Sequence, residues 1–178
     1  MSLAATPVPK SQRDKNMRKE HGPGLLDKLW KKVVPAKATP APGKGGAVET
    51  VTRTVGGKTL TLSMSLDPDP VKLTDSRQFK VSMRVANQSK KLVQLEFPTT
   101  QRIEVIVRNT AGKLVEQWSE DRSFANEPGM VSINPGEHLE YAATLSTRDM
   151  VAGEAYVVEA LFPQYEPLRL QKMVTPVK

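Results

Sequence analysis

His138 stands beside Glu137 with Ser132 and Ser146 close by in sequence, and these are the side-chain types of a base, an orienting acid and a nucleophile. The setting argues against hydrolysis. Gly136 and Glu140 flank His138 at two-residue spacing, so it shares a polar face opposite Leu139 and Tyr141, and no strand-to-helix elbow presents either serine. Asp67, Asp69 and Asp75 crowd one loop, but their spacing is not that of a calcium-binding helix-loop-helix. With Pro68 and Pro70 between them, a rigid turn with carboxylates capping backbone N–H groups is the expectation. Glu116, Glu120 and Asp121 gather around Trp118, the pattern of a strand meeting a turn rather than of paired glycosidic carboxylates. No catalytic residue, metal ligand, cofactor site or small-molecule substrate follows from these types, so the expectation is a protein that is not an enzyme.

Composition narrows the field in the same direction. The 178 residues include two histidines and no cysteine, which removes thiol nucleophiles, thiolate zinc sites and disulfides. The formal charge of +7 is unevenly placed. Residues 1–48 carry ten basic and three acidic side chains, whereas the rest carries sixteen of each, so arguments about acidic partners belong to the first segment alone. That segment also holds Pro7, Pro9, Pro23, Pro35, Pro40 and Pro42 and a Gly-rich run to Gly46, and reads as a disordered basic arm over 1–47.

Within the arm, Leu25, Leu26, Leu29 and Trp30 fall on one helical face, with Lys31 and Lys32 opposite. The island, 25–34, is too short for a stable isolated helix and is expected to order only against a partner or an anionic membrane surface. Basic side chains there would also give weak, nonspecific, salt-sensitive contact with nucleic acid, but Trp30 is the single aromatic among them and supplies no stacking platform. No stretch reaches the roughly 18 apolar residues of a membrane-spanning helix. The first thirty residues lack an apolar block before a small-residue cleavage site, so a cytoplasmic location is the expectation.

From Val48 onward the apolar period is two. The Val48 to Val55 row, Gly56-Gly57 and the Leu60, Leu62, Met64, Leu66 row form a hairpin signature. Further rows follow at Phe79 to Val85, Val93 to Phe97, Ile103 to Val107, Leu114 to Trp118, Leu139 to Leu145, Tyr156 to Phe162 and Leu168 to Val174. Eight or nine short strands with one apolar face each predict an all-β, immunoglobulin-like antiparallel sandwich over 48–178. A small closed barrel is the alternative, disfavoured by the short strands and the scarcity of interior glycines. Without a disulfide, Trp118 and Tyr141 are expected to anchor the core.

The segment 97–137 contains, in order, Gln101-Arg102 leading a strand, a turn at Gly112, then Trp118, Ser119, Asp121 and Phe124, then Pro135-Gly136-Glu137. This succession resembles the BsuPI family of intracellular proteinase inhibitors of bacilli. Three positions depart from the family pattern: Ala125-Asn126 stand where Thr-Gln is common, and Leu145 where a tryptophan is common. The resemblance implies a sandwich fold and binding to a protein, a subtilisin-like serine protease being the partner it suggests. It further implies that Trp118 and Phe124 fill the core, that Ser119 and Asp121 cap the intervening turn, and that Arg102 pairs with a carboxylate. Inhibition would need an exposed, stiff loop, since rigidity before binding lowers the entropy lost on binding. Two loops qualify: Pro98, Thr99 and Thr100, leading into Gln101 and Arg102, and the longer run of Arg122, Ser123, Ala125, Asn126 and Glu127 that ends at Pro128-Gly129. The alternative function is a structural or envelope-associated module held by its basic arm to a membrane or acidic partner.

Overall fold

The computed structural model describes residues 47–74 and 77–178. The arm positions Leu25, Leu26, Leu29, Trp30, Lys31 and Lys32, and Asp75 of the aspartate loop, lie outside the described residues. Among the described residues ten strands follow one another: β1 (Glu49–Val55), β2 (Lys58–Asp67), β3 (Gln78–Asn87), β4 (Val93–Phe97), β5 (Glu104–Asn109), β6 (Leu114–Gln117), β7 (Gly129–Ile133), β8 (His138–Ser146), β9 (Tyr156–Leu161) and β10 (Arg169–Val174). Two four-stranded antiparallel sheets, β1-β2-β3-β8 and β10-β9-β5-β6, and the two-stranded β4-β7 pair build an all-β sandwich. No helix occurs among the described residues.

The alternation in sequence explains each sheet's apolar face. Leu60, Leu62, Met64 and Leu66 of β2 and Phe79, Val81, Met83 and Val85 of β3 are buried, while their neighbours are more exposed. They join Val105 and Val107 of β5 and Tyr156, Val158 and Ala160 of β9 in one core cluster. The β1-β2 hairpin turns on Gly56 and Gly57, with φ of 55° and 71°, the pair of positive values that a two-residue turn of this hand requires. β7 has no counterpart among the expected rows. It is five residues long, two of its side chains are exposed, and Met130 points a large apolar group to solvent, so no clean alternation marked it.

Among the described residues, two buried inward positions within the strands are polar. Asn87 ends the buried face of β3 and is fully enclosed. Its Nδ2 donates to the carbonyls of Lys91 and Ile133, and its Oδ1 accepts from the N–H and hydroxyl of Ser89. Its backbone N–H donates to the Glu137 carbonyl, and its carbonyl accepts from the Gly136 N–H, so one residue fastens the β7-β8 turn to the β3-β4 connection. Lys172 occupies an inward position of β10 between Leu170 and Val174. Its Nζ donates to Asp69 Oδ2 and to the Ala47 carbonyl, both at 2.6 Å. Asp69 therefore holds a lysine, and not the backbone N–H groups expected of the aspartate loop.

The aromatic residues buried in the core are Phe79, Phe97, Tyr156 and Phe162, not Trp118 and Tyr141, both of which pack against the core only partly buried. Tyr141 meets Phe162 edge-on, ring centroids 5.6 Å apart. Burial raises the Tyr141 phenol above its ordinary value near 10, while the nearby Arg102 charge partly opposes that shift. A raised folded-state pKa favours the neutral phenol, so its contribution is intact below pH 10 and is lost as pH climbs through the folded-state value. Urea midpoints of the wild type and Tyr141→Phe should differ by a constant amount from pH 7 to 9. Above pH 10 the difference should move in favour of the phenylalanine variant.

Candidate functional site

The two loops singled out by sequence lie side by side. Thr100 N–H donates to the Ala125 carbonyl at 3.0 Å, and Ala125 N–H donates to Thr100 Oγ1, also at 3.0 Å. Only one of the two is an exposed segment. Thr99, Thr100, Gln101 and Arg102 are half-buried, leaving Pro98 at the surface, whereas Arg122, Ser123, Ala125, Asn126, Glu127 and Pro128 are all exposed. The 98–102 loop is thus a brace and 122–128 the surface it supports.

Beneath them lies a carboxylate that sequence reasoning missed. Glu104, the first residue of β5, is 7% exposed. Its Oε2 accepts from Gln101 Nε2 and Gln117 Nε2, each at 3.2 Å, and from the Ser119 hydroxyl. Its Oε1 accepts from the Ser119 N–H at 3.2 Å and from the Val105 N–H at 2.9 Å. Gln101 and Ser119 of the family-like motif therefore converge on one acid, which locks the brace to the approach into 122–128. Ser119 holds this acid and does not cap the turn, and Asp121 is exposed. Gln101-x-x-Glu104 was visible in sequence, but nothing there showed that the 98–101 and 117–119 segments fold over the outer face of β5.

Trp118 and Phe124 form a half-buried pair, centroids 5.8 Å apart, beside the core and not within it. Arg122 closes over the indole, its guanidinium carbon 4.5 Å from the ring centroid and its Nε donating to the Trp118 carbonyl at 3.1 Å. Arg102 does the same on Phe97 at 4.8 Å and donates to the carbonyls of Thr99 and Gln101; these carbonyls and the ring take the place of the expected carboxylate. Both arginines are fixed struts of the loops, held to their own chain.

The remaining motif positions are turn devices. Gly112 has φ of 79°, and its N–H donates to the Asn109 carbonyl. Gly136, at φ 77°, follows Pro135, and Glu137 Oε2 accepts from Asn134 N–H and Nδ2 at 2.9 Å each. His138 is exposed on β8 opposite Ala86, while Ser132 lies on β7 and Ser146 ends β8. Glu116 accepts from the Ser146 N–H at 3.3 Å. Two surface grooves of about 340 and 490 Å³, one along Asn109 and Leu114 and the other along Thr50 and Gln171, share no residue with either loop.

A family model described as BsuPI, intracellular proteinase inhibitor, matches residues 66–166. No curated protein matches. Among solved structures, a β-glucosidase of Erythrobacter marinus is 14% identical with a TM-score of 0.40 over 68% of this chain and 16% of its own. β-Glucosidase 3B of Thermotoga neapolitana, solved with α-D-glucose, is 17% identical with a TM-score of 0.36 over 66% of this chain and 16% of its own. A Bordetella pertussis protein assigned as ApaA is 13% identical with a TM-score of 0.36 over 67% of this chain and 94% of its own. The chain thus spans about a sixth of either glucosidase.

Proposed function

The chain belongs to the BsuPI family of intracellular proteinase inhibitors, and we propose that it inhibits a serine protease of the subtilisin type by laying the 122–128 segment into the enzyme's cleft. The observation that supports this reading is the clamp of Thr100 on Ala125, which stiffens the middle of an otherwise exposed run. A segment held in place before encounter loses less chain entropy on binding. Trp118, Phe124 and Arg122 form the footing of the same run, and Glu104 ties that footing to β5. Ser123, Asn126 and Glu127 take part in none of these contacts, so their side chains are free to meet a partner.

The full chain titrated into subtilisin, with a chromogenic peptide as substrate, should abolish hydrolysis near equimolar ratio at micromolar enzyme. Papain, a cysteine protease run in parallel, should be unaffected. Undiminished subtilisin activity at tenfold excess of the chain would overturn the proposal.

A further inference from the structure

The main chain around Ala125 is asymmetric. Ala125 donates its N–H to the Thr100 hydroxyl and accepts on its carbonyl from the Thr100 N–H, so both of its main-chain polar groups face Thr100. In extended chain the polar groups of successive residues face opposite edges, so those of Phe124 and Asn126 face away from Thr100. Among the described residues neither of them takes part in a backbone hydrogen bond. Two N–H and C=O pairs, two residues apart, therefore have no partner among the described residues, in a run that is exposed except for half-buried Phe124. Pro128, which has no N–H, ends the row two residues later.

We propose that Phe124 and Asn126 form a two-rung sheet edge that takes one extended strand of the protease, the strand that lines its substrate cleft. This rests on the inhibitory reading above and specifies how the contact is made: by main-chain pairing, with side chains secondary. The shortness of the edge favours this occupant over a second copy of the chain. Two rungs closed off by a proline give little area for a self-paired dimer, whereas a cleft supplies walls as well as a strand.

Amide hydrogen exchange tests it on the full chain, alone and mixed with subtilisin whose nucleophilic serine is replaced by alanine. The Ala125 amide should be slow in both states, and those of Phe124 and Asn126 should slow by about tenfold or more only in the complex. Asn126→Pro, which removes one of the open donors, should weaken inhibition about tenfold more than Asn126→Ala, which keeps that donor and removes only the side chain. A complex in which both amides exchange as before, or an Asn126→Pro chain that melts like wild type and inhibits equally well, overturns the edge. Slow exchange at both amides in the free chain at high concentration overturns it as well, assigning the edge to self-association. Absence of any complex instead overturns the inhibitory reading itself, so the two failures are distinguishable.

Discussion

Lys172→Met should lower the unfolding free energy by about 3 kcal/mol, read as a shift in urea midpoint at unchanged slope. The lysine points into the sandwich from β10 with 8% of its side chain exposed, and it is the donor to both Asp69 and the Ala47 carbonyl. Methionine fills the aliphatic space but leaves a carboxylate and a carbonyl with no cation between them. Asp69 retains 19% exposure, so water recovers part of the loss, which places the effect at the low end of the range for broken buried pairs. Removing both charges should cost less than removing one: Asp69→Leu combined with Lys172→Met should lie closer to wild type than Lys172→Met alone. A double variant as unstable as the sum of the singles would mean that the pair acts through packing and not through charge.

Glu104→Ala should cost a similar amount, about 3 kcal/mol, and should also weaken inhibition of subtilisin by at least tenfold. Five donors from Gln101, Val105, Gln117 and Ser119 converge on this carboxylate. Hydrogen bonds to a charged acceptor contribute about 1.5 to 3 kcal/mol each, and they do not sum, because half-buried Gln101, Gln117 and Ser119 can turn to water. Glu104→Gln keeps the volume but presents an amide N–H₂ to donors, and should fall between wild type and alanine. The acid is buried beneath Gln101 and Ser119 and bonds to no residue of 122–128, so its effect on inhibition must pass through loop position. The diagnostic reading is the Ala125 amide, whose exchange should quicken in Glu104→Ala even under conditions where the sandwich remains folded. Unchanged exchange at Ala125 together with lost inhibition would place the acid's role elsewhere.

Strict alternation makes most strands legible in the sequence, because a half-buried strand has to place apolar groups every second residue, as Leu60 to Leu66 and Phe79 to Val85 do. The same rule carried a signal that is easily passed over. Asn87 and Lys172 each continue an inward row with a polar side chain, and a polar group in a buried register has to be satisfied by something distant. Their partners, the Ile133 carbonyl and Asp69, are 46 and 103 residues away, beyond any local pattern. Glu104 was hidden for a different reason. It sits on the outer face of β5, where a charge is ordinary, and becomes buried only because two loops cover it. Trp118 misled in the opposite sense, since size and apolarity suggested a core anchor, while its indole serves as the seat for Arg122. Loop proximity, the feature on which the inhibitory reading depends, is tertiary by nature: residues 100 and 125 had no common pattern in sequence.

The clamp between Thr100 and Ala125 contains no sulfur, in a chain without a single cysteine. Small secreted inhibitors commonly stiffen their contact loops with disulfides, which a strong enough thiol poise opens. A hydroxyl and two peptide groups have no redox potential, so the stiffness of 122–128 should be the same in dithiothreitol as in air. The exposed side chains of Ser123, Asn126 and Glu127 hold nothing else in place, and rewriting them leaves the clamp intact. That combination makes the sandwich a scaffold for displaying engineered recognition loops in reducing cellular compartments, where disulfide-braced scaffolds fall open.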